Sequence, residues 1–332
     1  MSLISVDAHL GAPKYRQIVT SVEEGLMNGL LKKGDKLPSI NSIRDKFSLS
    51  RDTVLMAFSE LKARGIVESV SGKGYYIKSD NIKIKQKIFV LFDELNAFKE
   101  DLYNSFLENL QEDIQVDIFF HHFSFEVFSK HIYDSVGNYN HYVIMPANLP
   151  HTNTVIEKLP NEKVFILDQT HEELKHYPSI HQNFQNDIYK SLKQALPRLG
   201  KYDKLVLLFP DSKQPLGMLN GFQKFRKETQ FNHEVIKTLE GRNLQKGEAY
   251  LILDDRDLIV LIKKIKETNL EIGKDIGVIS YNDTLLKEIV EGGITTISTD
   301  FKLMGKRLAE MIAKNERLQI ENPNALIVRN SL

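Results

Sequence analysis

The chain has no cysteine among its 332 residues, which excludes disulfides, iron–sulfur clusters, thiolate zinc sites and cysteine nucleophiles. It has no long apolar run. The longest are pieces such as Ile88–Phe92 and Leu258–Ile262, against the roughly twenty residues that a membrane span needs. The opening MSLISVDAHLGAPKY has no basic patch followed by an apolar stretch, so no secretory signal is expected. Catalytic motifs are missing as well: there is no GxxxxGK, no GxSxG and no GxGxxG. His171 and His176 nearly make HExxH but lie five residues apart, about 140° round a helix, so the pair cannot share a metal. The expectation is a cytoplasmic non-enzyme with no catalytic residue, no metal, no cofactor and no membrane contact.

What is present is ordinary globular material, with 42% hydrophobic and 27% charged residues. The length suggests about two domains. The net charge of zero hides an asymmetry: residues 1–87 hold 15 Lys and Arg against 9 Asp and Glu, and residues 88–332 hold 29 against 35. A basic front piece on an acidic body implies that only the front touches a polyanion.

In the front piece, Tyr15, Ile18, Val22 and Leu26 mark an amphipathic helix over 14–29. Ser39 is placed to cap a helix from Ile40 to Phe47, and Ser48-Leu49-Ser50 breaks it. A third helix starts at Ser50, with Val54, Ala57, Phe58 and Leu61 inward, and Gly65 ends it. Ile66–Val70 and Tyr75–Lys78 read as short strands joined by Ser71-Gly72-Lys73-Gly74. This order predicts a winged helix-turn-helix. The third helix fits the major groove, where Arg51 can meet a guanine edge and Ser50 and Thr53 can donate to phosphates. The Lys73-Gly74 tip suits the minor groove, and Arg44, Lys46 and Arg64 are candidate phosphate contacts.

Leu37-Pro38-Ser39, Leu49-Ser50-Arg51-Asp52-Thr53-Val54, Leu61-x-x-x-Gly65-Ile66-Val67 and Gly72-Lys73-Gly74-Tyr75 resemble the GntR family of bacterial transcription regulators over residues 13–78. That family often has Glu-Arg after Leu-Pro-Ser, whose Arg helps to read DNA; here Ile40 and Asn41 stand there. The resemblance implies duplex DNA as partner. The candidate DNA-binding set is Ser39, Asn41, Arg44, Ser50, Arg51, Thr53, Lys73 and Gly74.

Residues 81–87 are polar and Lys-rich and read as a linker between a first domain at 1–80 and a second at 88–332. In the second, apolar runs alternate with helical stretches, from Ile88–Phe92 and Lys99–Gln111 to Ile276–Ser280 and Phe301–Lys314. Repeated strand–helix units imply an α/β fold with parallel sheets covered on both faces, and the length implies two lobes. Ligands of such sheets sit beyond the C-terminal strand ends. The polar residues there are Asp93, Glu94 and Asn96; His121 and His122; Asn148; Asp168 and Gln169; Gln182 and Asn183; Asp254 and Asp255; Asn282 and Asp283. Asp255 is expected to be a helix cap.

Gly277-Val278-Ile279-Ser280-Tyr281-Asn282-Asp283, Thr295–Phe301 with Met304-Gly305, Leu251–Asp255 and Asn220-Gly221-Phe222 resemble the sugar-sensing, periplasmic-binding-protein-like domain of LacI-type repressors. A GntR-type reader joined to such a sensor is similar to the arabinose repressor subfamily. By this resemblance Asp254 and Asn282 match sugar-contacting positions, while Met218 stands where the family often has Arg. Carboxylates and amides suit neighbouring hydroxyls, and Phe98 or Tyr281 is placed to stack on a sugar. The candidate effector set is Asp93, Glu94, Asn96, Phe98, Gln182, Asn183, Asp254, Asn282 and Asp283. The reading is a transcription regulator, a dimeric repressor on a double-stranded operator, controlled by a small molecule of monosaccharide type. The alternative is a sugar-binding or sugar-modifying protein whose winged helix docks another protein.

Overall fold

The computed structural model describes residues 3–8, 10–79, 86–112, 114–210 and 214–332. The chain opens with α1 (Lys14–Met27), α2 (Ile40–Phe47), α3 (Arg51–Ala63) and the strands β1 (Val67–Val70) and β2 (Gly74–Ile77). Then come β3 (Gln86–Phe92), α4 (Ala97–Glu108), β4 (Ile114–Phe120), α5 (Phe125–Ser135), β5 (His141–Ile144), α6 (Thr152–Ile156), β6 (Val164–Asp168) and β7 (Ser179–His181). They are followed by α7 (Phe184–Leu199), β8 (Lys204–Leu208), α8 (Leu216–Thr229), β9 (His233–Ile236), β10 (Glu248–Ile252), α9 (Asp255–Lys266) and β11 (Ile276–Tyr281). The chain closes with α10 (Leu285–Ile289), β12 (Thr295–Thr299), α11 (Phe301–Lys314), β13 (Gln319–Glu321) and β14 (Asn324–Ile327).

Met1–Phe92, Gln111–Ile144 and His151–Phe165 form one compact unit. Its helices α2 and α3 start where side-chain oxygens accept orphan backbone N–H groups: Ser39 from Ser42 and Ser50 from Thr53. Ser48, with φ 51°, turns the chain out of α2. Ile18, Val22, Leu37, Ile43, Val54, Phe58, Leu61 and Ile77 share one core, and Phe58 stacks on Tyr75 with centroids 4.5 Å apart. β1 and β2 pair antiparallel from Val67↔Ile77 to Val70↔Gly74. In the same unit β3 lies between β4 and β5, all parallel.

The second unit holds Asp93–Leu110, Met145–Pro150 and Ile166–Leu332. Six strands run in the order β14-β12-β11-β10-β8-β9, parallel except for β14, which pairs antiparallel with β12. Successive residues feed opposite cores. Leu205, Leu207, Ala249 and Leu251 pack on one face, and Val206, Leu208, Tyr250 and Ile252 on the other. Burial on both faces explains the unbroken apolar runs. β7 pairs parallel with both β6 and β13.

The linker expectation needs one correction. Gln86 and Lys87 are the first residues of β3, because the Lys87 N–H donates to Asn140 Oδ1 (2.8 Å) and its carbonyl accepts from the Asn140 N–H (2.8 Å). Residues 81–85 lie outside those described.

Candidate nucleic-acid interface and ligand cavity

The head presents α3 by its N-terminus. Arg51 is exposed, as is Ser50, and Thr53 is half-buried. Ser50 Oγ caps the helix and lies 2.8 Å from Thr53 Oγ1. Arg51 has no ion-pair partner among the described residues, so its five donors remain available. Lys73 is exposed at the hairpin tip, next to Gly74 with φ 112°. Asn41 is exposed on the first turn of α2, beside the capping Ser39.

Two cations are engaged elsewhere. Arg44 pairs with its neighbour Asp45 at 2.7 Å, an exposed contact that a phosphate can replace at little cost. Arg64, read above as a phosphate contact, is instead clamped between Glu23 and Glu60 and ties the end of α3 to α1.

In the second unit, α4 brings Lys99 back to Asp93. Lys99 is 4% exposed and ion-pairs with Asp93, itself 6% exposed. Asp168, at the end of β6 with φ 70°, is buried beside them. Burial raises its carboxyl above the usual range, against the pull of Lys99. Gln182 Nε2 donates to Asp168 Oδ1 at 2.6 Å, and Tyr281 Oη donates to Gln182 Oε1 at 2.9 Å. A polar relay therefore runs from Asp168 through Gln182 to Tyr281 at the end of β11, with the Lys99–Asp93 pair close enough to act on Asp168 through its charge.

A cavity of about 1000 Å³ adjoins this relay. Asn148, Gln169, Thr170, Gln182, Asn183 and Phe209 are among the residues that line it. It opens at the C-terminal ends of β6, β7, β8 and β9. Thr170 Oγ1 is buried there without a partner, a cost that a ligand hydroxyl would relieve.

Several expected effector residues have local duties. Asn96 caps α4 by accepting from the Lys99 N–H, and Asn183 caps α7 and donates to Glu321 at 2.8 Å. Asp254, not Asp255, caps α9. Asp255 instead pairs with Lys287 at 2.7 Å. Phe98 already stacks on Phe301, with centroids 4.8 Å apart, so one face of its ring is covered. Glu94 is half-buried at the start of the loop before α4.

Asp283 is corrected from effector contact to structural anchor. Arg329 meets both its oxygens at 2.7 and 2.8 Å, and Thr296 Oγ1 donates to it at 2.9 Å. Burial opposes the charge, yet Arg329 and Thr296 hold its carboxyl below the usual range. Met218 packs in the apolar core rather than facing a ligand. Asn282 sits in the left-handed region at φ 58°, and its Oδ1 is buried without a partner. Neither Asp254 nor Asn282 lines the cavity.

Lys99 was not singled out from sequence. Its signal is present: Lys99, Leu102 and Phe106 share the buried face of α4, and a lysine among apolar residues at helical spacing demands a buried anion.

Comparison with known proteins matches residues 14–77 to the model described as "Bacterial regulatory proteins, gntR family". Residues 201–332 match the model of the periplasmic binding protein-like domain. The HTH-type transcriptional repressor YtrA of Bacillus subtilis (strain 168) is 31% identical over 109 residues, which is 32% of this chain and 83% of that protein. The arabinose metabolism transcriptional repressor of Geobacillus stearothermophilus is 32% identical over 65 residues, 20% of this chain and 18% of that protein. Among solved structures, the lac repressor dimer bound to operator and the anti-inducer ONPF superposes with a TM-score of 0.61 at 18% identity. The superposition covers 74% of this chain and 94% of that one. The expected α/β fold class, a winged helix-turn-helix with a periplasmic-binding-protein-like body of parallel sheets, is the one found.

Proposed function

The chain belongs to the gntR family of bacterial regulatory proteins, and from that premise we propose that it is a dimeric repressor released or engaged by a neutral polyhydroxylated molecule of monosaccharide class. The observation that carries the DNA half is the exposed, unpaired Arg51 on the first turn of a side-chain-capped α3. A cation there adds to the positive end of the helix dipole and faces phosphates or a guanine edge. Ser39, Asn41, Arg44, Ser50, Thr53, Lys73 and Gly74 complete the proposed contact set, with residues 1–80 as the reading domain.

The effector half rests on the cavity. Its amide-rich lining, with Phe209 beside it, suits a ligand of many hydroxyls and one apolar face. Gln182 and Asn183 contact it in this reading, while Asp93, Glu94, Asn96, Phe98, Asp254 and Asn282 shape the surrounding strand ends. The name of the arabinose repressor and the operator-bound lac repressor dimer support the sugar class, the dimer and the repressor role. The protein acts in the cytoplasm, and no chemistry of its own is required.

A second copy is proposed to cover one apolar face. Leu285, Leu286 and Ile289 on α10 are 79%, 73% and 76% exposed, and Ile259 and Val260 on α9 are 53% and 43% exposed. Salt bridges Lys287–Asp255 and Lys266–Glu291 hold these two segments side by side. A rim with both charge signs suits an isologous contact.

The test is selection of duplexes from a random pool by the full chain, followed by a salt titration and a melting-temperature screen of monosaccharides. Enrichment of an inverted repeat, a steep negative salt slope and one stabilising sugar are expected. No enriched duplex would overturn the DNA reading. A flat screen across monosaccharides would overturn the effector class.

A further inference from the structure

Helix α10 has its polarity inverted. An amphipathic surface helix buries aliphatic residues and exposes charge. Here Leu285, Leu286 and Ile289 point outward, while Lys287 is 3% exposed. The Lys287 ammonium is fully used. It donates to the carbonyl of Tyr281 at 2.8 Å and of Asn282 at 2.6 Å, and it pairs with Asp255 Oδ1 at 2.7 Å. Three protons meet three acceptors. Burial lowers its affinity for the proton, and the Asp255 carboxylate opposes that.

Both carbonyls belong to the turn at the end of β11, where Asn282 is left-handed. The Tyr281 hydroxyl reaches Gln182 on the cavity wall. On the other side, Asp255 opens α9, and Ile259 follows one turn later on the same face. The α10 segment is also held by Arg329, which reaches Glu288 at 3.3 Å, and by the Ile294 N–H, which donates to the Lys287 carbonyl at 2.7 Å. Among the described residues, only Lys287 joins the Tyr281–Asn282 turn and α9 through one atom.

We propose that Lys287 is a positioning residue that couples the cavity to the subunit face, by fixing the apolar face of α10 and α9 to the turn that carries Tyr281 and Asn282. A shift of Tyr281 as Gln182 is recruited to a ligand then moves Leu285, Leu286 and Ile289 relative to the partner copy. The inference rests on the readings of the cavity as effector site and of that face as the dimer contact.

A double-mutant cycle on the full chain, with no ligand added, tests it. The dimer dissociation constant is measured by sedimentation on dilution for wild type, Tyr281→Phe, Lys287→Met and the double variant. Tyr281→Phe, which removes only the hydroxyl that reaches Gln182, should shift that constant by about fivefold or more. In the Lys287→Met background the same change should shift it by less than about twofold. Lys287→Arg should restore the larger shift, which a merely structural lysine would not require. If Lys287→Met does not fold, Asp255→Asn, on the exposed side of the same ion pair, takes its place and should shrink the shift. Equal shifts in all backgrounds, or no shift from Tyr281→Phe, overturn the proposal while the dimer stands. A chain that stays monomeric at every concentration overturns the dimer reading together with it.

Discussion

At the scale of single residues, the division is between side chains that face solvent unpaired and those that have found partners inside. Arg51 belongs to the first group. Arg51→Ala should weaken specific duplex binding by about 1–3 kcal/mol, roughly 10- to 100-fold, and relax preference at one base position. Anisotropy titrations against the selected duplex check this, and unchanged affinity would remove Arg51 from the readout. Asp187 belongs to neither, since its Oδ2 is buried without a hydrogen-bond partner. Burial, with Glu321 nearby, pushes its carboxyl up to about 7. The folded state therefore binds more protons than the unfolded chain between the usual carboxylate range and about pH 7. Its contribution favours the fold at low pH and is withdrawn as pH rises through that value. His141 acts oppositely. Burial, with Lys163 nearby, lowers it to about 4, so its contribution is intact above the usual histidine range and is lost as pH falls towards that value. Asp187→Asn should raise the melting temperature distinctly more at about pH 8 than at about pH 5. An equal shift at both would refute the assignment.

Elements were legible where they are long or capped. Ser39 and Ser50 mark helix starts because a hydroxyl before an apolar-periodic run satisfies an orphan N–H, and both do so here. α11 runs from Phe301 to Lys314, as its apolar spacing implies. β7, β9, β13 and β14 escaped the reading. How closely helices approach was not legible either. At Gly305 on α11, a Cβ would collide with the Leu102 carbonyl of α4, and at Gly221 on α8 with the Gln185 carbonyl of α7. Backbone carbonyls cannot swing aside as side chains can, so Gly305→Ala should cost about 1–3 kcal/mol. Urea unfolding would report it, and an unmoved midpoint would mean that α4 and α11 can separate freely.

For the whole molecule, the acidic body and basic head lie on separate stretches of one chain, and in the proposed dimer the pairing of bodies would set how two heads meet an operator. Leu286→Asp places a charge in the centre of the proposed face. It should convert the protein to monomer at micromolar concentration and lower operator affinity by more than tenfold, because two heads then bind without shared geometry. Sedimentation and duplex titration on one preparation check both, and an intact dimer would move the contact elsewhere. The strand-end rule points to the edge of the sheets where the cavity opens, because parallel strands deliver their polar followers to one edge. It did not separate Asp254 and Asn96, which only cap helices, from Gln182, which lines the cavity, or from Asn183, which does both, because caps and ligand contacts use the same residue types at the same strand ends.

The amino-acid order alone determined the head, its reading helix and the alternating body, since these follow from local periods, caps and turn residues. Only the tertiary structure decided which carboxylates are spoken for. Arg329 lies 46 residues from Asp283 and Tyr281 lies 99 from Gln182. Pairings over such distances are written by packing in space, not by any spacing along the chain.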